Sequence, residues 1–168
     1  MPDDDRVPDP DKYGCPNCNG DGCNECRVAG SGLVFNLFVP VLAPRLLSPN
    51  GSRGEAHQAV SAAKVALRAD TYHAALSAAP QAALPRFQRA VVSFCYRHSF
   101  KRPGDGLYRP DDPSNLGGDV LKGPMDALVD LEVLIDDDYE HVALVTLQIE
   151  RVAELADEGI AIMVREAD

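Results

Sequence analysis

Between Arg109 and Asp138 the chain reads RPDDPSNLGGDVLKGPMDALVDLEVLIDDD, eight aspartates and one glutamate beside only two cations, Arg109 and Lys122. Carboxylates crowded in this way repel one another unless a cation relieves them. Clustered carboxylates with water are the usual cage for Mg²⁺. A lysine among them adds a point-charge partner for phosphate. Together, carboxylates, a hard metal and one lysine suggest metal-assisted phosphodiester hydrolysis. The competing reading is a solvated acidic face, which suits Asp3, Asp4, Asp5, Asp157, Glu158, Glu166 and Asp168.

Spacing favours a site. Asp112, Asn115, Lys122, Asp126 and the Asp136-Asp137 pair are interleaved with Ala127, Leu128, Val129, Leu131, Val133, Leu134 and Ile135. A water-facing surface does not carry so many apolar residues between its charges. A helix over 119–130 would set Lys122 and Asp126 four apart on one face, with Asp136-Asp137 emerging at the turn beyond. Simpler roles compete: Asp112 and Asn115 could open a turn, and Lys122 could be a surface partner of Asp126. Asp138 reads as a turn residue.

A second constellation lies near the N-terminus. Cys15, Cys18, Cys23 and Cys26 form C-x2-C-x4-C-x2-C, which can present four thiolates to a structural Zn²⁺, with an iron–sulfur cluster as the competing ligation. Four cysteines within twelve residues point to a metal site in a reducing compartment rather than to a disulfide framework. The first knuckle, with its glycines at 20 and 22, resembles the CxxCxGxG repeat of DnaJ-type zinc modules. Cys95 stands alone in an apolar run and reads as core.

These residues need a frame. The 168 residues are 45% hydrophobic, enough for one domain with a small appendage. Residues 1–13 read as a Pro- and Asp-rich disordered tail, 14–32 as the zinc knuckle and 33–168 as the main domain. Strands are expected at 33–39, 87–100, 141–149 and 159–164, and helices at 54–79 and 119–130. Residues 150–158 fit either a loop or a helical turn. In the first helix Ala56, Val60, Ala63 and Leu67 form the expected buried stripe, with Lys64 and Arg68 on the other face. The order β-α-β-α-β-β implies an α+β domain, helices packed on a mixed sheet. With no long apolar window and no secretory leader, the expectation is a soluble cytoplasmic protein without a membrane partner.

Net charge is −10, distributed as −4 over residues 1–44, +7 over 45–109 and −13 over 110–168. A basic middle beside an acidic pole suits a metal nuclease, with cations for phosphates and carboxylates for metal. Arg53, Lys64, Arg68, Arg97, Lys101, Arg102 and Arg109 are the candidate DNA contacts. His57, His73, His98 and His141 lack metal-ligand spacing, although His57 and His98 could touch phosphate.

The acidic constellation resembles the RusA family of Holliday junction resolvases, common in phages and prophages. That family carries D-x-D-N, then a lysine, Asp-Ala-Leu four residues later, and an Asp-Asp pair ten beyond. Here Asp112-Pro113-Ser114-Asn115 stands in place of D-x-D-N, Lys122 precedes Asp126-Ala127-Leu128 by four, and Asp136-Asp137 follows at ten. Two departures stand out. Ser114 replaces an acidic residue, and the Asn-to-Lys interval is longer by four residues, with Gly117-Gly118-Asp119 in the inserted part. The resemblance implies a RusA-like mixed sheet and a homodimeric, Mg²⁺-dependent endonuclease that nicks branched DNA symmetrically in recombination and repair, in a phage-bearing bacterial cytoplasm. It implies Asp112, Asp137, Asp126 and Asp136 around the metal, and Lys122 and Asn115 as catalytic groups. The alternatives are a branched-DNA-binding protein weakened in cleavage by Ser114, and a zinc-knuckle adaptor for a protein partner.

Overall fold

The computed structural model describes residues 33–48, 51, 56–100, 105–116 and 118–167. The expected tail, the four knuckle cysteines Cys15, Cys18, Cys23 and Cys26, and Arg53, Lys101 and Arg102 lie outside the described residues.

Strand β1 (Val34–Val39) alternates strictly: Phe35, Leu37 and Val39 are buried while Asn36 and Phe38 face outward. Helix α1 (His57–Ala78) buries Leu67, Thr71 and Ala75, spaced four apart, with Val60 and Ala63 packed partly against the same core. Ala56, expected in that stripe, is the exposed residue before the helix. The stripe is displaced toward the C-terminal turns because those are the turns that meet the core.

The remaining elements are β2 (Ala90–His98), α2 (Asp119–Asp130), β3 (Val142–Arg151) and β4 (Gly159–Glu166). The order β-α-β-α-β-β is the expected one, and α2 has the expected limits. Phe87 lies before β2 and makes only an isolated bridge to Leu134. Residues 155–157 form one 3-10 turn between β3 and β4.

The four strands form one mixed sheet in the order β1-β4-β2-β3. Strand β4 runs antiparallel to both neighbours, whereas β2 and β3 are parallel and joined through α2. The last strand is therefore central, and Ile160, Ile162 and Val164 are buried accordingly. Alternate residues of β2, among them Val92, Phe94 and Tyr96, join Leu67, Leu116 and Leu128 in one core. The opposite sheet face carries an open groove of about 510 Å³ lined by Phe38, Ser93, Cys95, Arg97 and Met163, among others. Cys95 is thus half-buried on the groove side rather than in the core. Its Sγ lies 3.7 Å from the Glu150 carboxylate, and partial burial, then that carboxylate, raises its pKa.

Helix α2 presses against α1 at Gly123. A β-carbon there would come within 3.0 Å of the Lys64 carbonyl oxygen and 3.1 Å of the Arg68 nitrogen. Two ion pairs flank this contact: Lys64 Nζ to Asp119 at 2.6 Å and Arg68 to Asp130 at 2.5 Å. Lys64 and Arg68 therefore face α2 instead of the opposite side of α1. At its other end α2 stops at Glu132, which has φ 59°, while the N–H groups of Val133 and Leu134 both return to the Leu128 carbonyl. This left-handed residue turns the chain back toward the helix, and Asp136-Asp137 follow it.

Candidate functional site

Lys122 lies near the start of α2 and Asp126 one turn further along, a local consequence of helical spacing. Asp137 arrives from the turn after α2. The Lys122 Nζ is 2.7 Å from Asp126 Oδ1 and 2.6 Å from Asp137 Oδ2. The two carboxylate oxygens are consequently separated by no more than these two contacts laid end to end. Hydrogen bonding by Asp126, then by Asp137, raises the Lys122 pKa and keeps the ammonium charged. Lys122 is half exposed, so solvent screens the pair and leaves it open to a ligand.

Asp136 takes a different part. Its Oδ1 accepts the Asp137 N–H at 2.7 Å, which fixes the backbone that presents Asp137. Asp138 closes the next turn, accepting the N–H groups of Glu140 at 2.9 Å and His141 at 3.0 Å and contacting His141 Nδ1 at 2.7 Å.

Asn115 stands on the short 3-10 turn Pro113–Leu116 ahead of α2, and Asp112 immediately precedes that turn. Asp112 Oδ1 accepts the Ser114 N–H at 2.8 Å, and the Asn115 N–H returns to the Asp112 carbonyl at 3.0 Å. The Ser114 hydroxyl, then its N–H, lowers the Asp112 pKa. Ser114 thus supplies donors to Asp112. Among the described residues no three Asp, Glu, His or Cys side chains converge closely enough to hold a metal ion. Asp112 does not complete a cage with Asp126 and Asp137. The two carboxylates converge on the Lys122 ammonium itself.

The described candidates for DNA contact are all engaged elsewhere. Lys64 and Arg68 join the two helices, and Arg97 pairs with its cross-strand neighbour Glu150 at 2.8 Å while lying 5.9 Å above the Phe38 ring. Arg109 is buried, its side chain 3% exposed. Its Nε and Nη2 reach the two Glu158 oxygens at 3.1 and 3.0 Å, and Nη1 meets Asp105. Glu158, expected on a solvated face, is instead 10% exposed, and the Arg109 guanidinium beside it holds its carboxyl at about 2. His98 is fully buried, with ring nitrogens 2.8 Å from the Ser99 and Pro110 carbonyl oxygens, so it is withdrawn from any phosphate.

Sequence reasoning missed Tyr96, Asp105 and Glu158. Only Asp105 carried a local signal, four residues before Arg109. Among the described residues no helix is long and apolar enough to cross a membrane. No protein-family model matches the chain, and no curated protein is significantly similar to it. The described residues form an α+β fold of four mixed strands and two helices, with a lysine held between two aspartates at its surface.

Proposed function

We propose that this protein is a Mg²⁺-dependent endonuclease acting on branched DNA, as a homodimer matched to a two-fold junction. The observation that carries the reading is Lys122 held between Asp126 and Asp137, a cationic group and two converging carboxylates on one open surface. Asp126 and Asp137 would hold the metal. Bound there, Mg²⁺ supplies Lewis-acid polarisation of a phosphate and a more acidic water. Lys122, charged and half exposed, is placed to bind a phosphate oxygen and stabilise negative charge as it develops. Asp136 keeps Asp137 in place through its backbone. Asn115, exposed on the turn before α2, is available to orient water or a carboxylate. Cys15, Cys18, Cys23 and Cys26 would bind a structural Zn²⁺ with no open position for chemistry.

The decisive experiment is incubation of the purified full chain with Mg²⁺ and a synthetic four-way junction beside a linear duplex of the same sequence. Nicks in the junction alone, lost in Asp137→Asn with binding retained, support the reading. Equal cutting by Asp137→Asn, or none by the wild type, removes it.

A weakened, chiefly junction-binding protein is the second reading, favoured by Asp112 remaining within its own turn with Ser114 as its partner. Ser114→Asp raises cleavage if that reading holds.

A further inference from the structure

Helix α2 starts without a capping side chain. Its N-cap position is Gly118, with φ 66°, and no side-chain hydrogen bond closes its first turn. The first N–H groups of a helix have no partner within it, and the start of this one is held against α1 by the Lys64–Asp119 ion pair and the Gly123 contact. The segment that leads into it, 105–116, is fastened to the end of β2 by buried side chains.

Three attachments do this, and a fourth bond braces the segment internally. The Tyr96 hydroxyl, fully buried, donates to the Tyr108 carbonyl at 2.9 Å and accepts the Ala43 N–H at 2.9 Å. His98 faces the Pro110 carbonyl at 2.8 Å. Arg109 makes its two-pronged pair with Glu158, and the same Glu158 accepts the Ser99 N–H at 2.7 Å. Finally, the Tyr108 hydroxyl donates to the Asn115 carbonyl at 3.0 Å. An arginine taken almost wholly out of water is costly unless its partner is exact in geometry. Here that geometry joins the end of β2, the start of β4 and the incoming segment at one point.

We infer that Arg109 and Glu158, with Tyr96, form an internal latch that positions the 105–116 segment, and through it the Asp112–Asn115 turn and the Lys122 turn of α2. Arg109 is a positioning residue and makes no contact with DNA. This rests on the nuclease reading for its functional consequence but not for its structural one. Holding the segment fixed sets the distance at which Lys122 stands from a bound phosphate. Active groups misplaced by about 1 Å lose roughly a hundredfold in rate.

The test uses the full chain with Glu158→Gln, which keeps the shape and removes the charge, and Tyr96→Phe, which removes only the hydroxyl. Three quantities are read below the unfolding temperature: single-turnover nicking at saturating junction and Mg²⁺, junction affinity against salt, and amide hydrogen exchange. Both variants are expected to nick at least tenfold more slowly, with affinity and salt slope unchanged and faster exchange across 106–116. A merely stabilising pair would lower the unfolding temperature and speed exchange without slowing nicking of the folded protein. Unchanged nicking overturns the latch. So does a drop of about one unit in salt slope for Arg109→Met, the mark of a lost phosphate contact. If the wild type does not nick, or Lys122→Ala nicks like it, the nuclease reading fails separately. Exchange then decides: unchanged protection of 106–116 in Glu158→Gln, or a loss of protection spread evenly over the domain, overturns the latch, and faster exchange confined to 106–116 upholds it.

Discussion

Glu158 should make stability depend on acid in a way that its removal abolishes. Its carboxyl is held at about 2, chiefly by the Arg109 guanidinium and secondarily by Ser99, against an ordinary value of 4.5. The folded pKa is depressed, so the stabilisation is fully present above 4.5 and is lost as pH falls toward 2. A shift of this size corresponds to about 3 kcal/mol at neutral pH, about half of that at pH 3 and almost nothing at pH 2. Burial supports a figure of that order, since Glu158 is 10% and Arg109 3% exposed, and breaking a buried pair typically costs about 3–5 kcal/mol. Asp105, Asp112 and Asp138 are also depressed, so the wild-type curve alone would mix their contributions. The assay is therefore a difference: urea unfolding of wild type and Glu158→Gln at pH 7, 5, 4 and 3. The gap between them should be about 3 kcal/mol at pH 7 and should narrow on acidification below 4.5. A gap that stays constant from pH 7 to pH 3 would refute the reasoning, because the pair would then contribute packing and no charge linkage.

Other outcomes follow from the same geometry. Lys122→Ala should cost about a hundredfold or more in nicking rate while changing stability by less than about 1 kcal/mol, because its side chain is half exposed; normal kinetics return it to a surface pair. Gly123→Ala sets a helix-propensity gain of about 1 kcal/mol against overpacking of about 1–3 kcal/mol where the β-carbon meets backbone of α1. A net loss near 1 kcal/mol is expected in denaturant melts, and a more stable variant would show that the helices separate freely. Elemental analysis should find one zinc per chain, removed by chelator together with the protection of Cys15, Cys18, Cys23 and Cys26. Four freely titrating thiols in untreated protein would end the zinc assignment.

Much of the frame was legible because it depends on neighbours in the chain. The strand at Val34–Val39, the limits of α2 and the four-residue step from Lys122 to Asp126 all follow from local sequence pattern. The convergence of Asp137 on Lys122 was also within reach, since only a short turn separates them. Charge pairing, by contrast, was not legible wherever partners were distant. Within the basic middle Arg68 pairs with Asp130 and Arg97 with Glu150, more than fifty residues away in each case. Composition counts charges but cannot say which are already neutralised.

The least legible features are those created by the sheet order. Inserting β4 between β1 and β2 brings Glu158, just before that strand, to the end of β2. There it meets Arg109 and turns an apparently solvated acid into a buried anchor. Local pattern determined which residues form each element. Tertiary structure alone decided which distant charges meet, because ion pairing depends on distance in space and a crossover can join any two points on the chain.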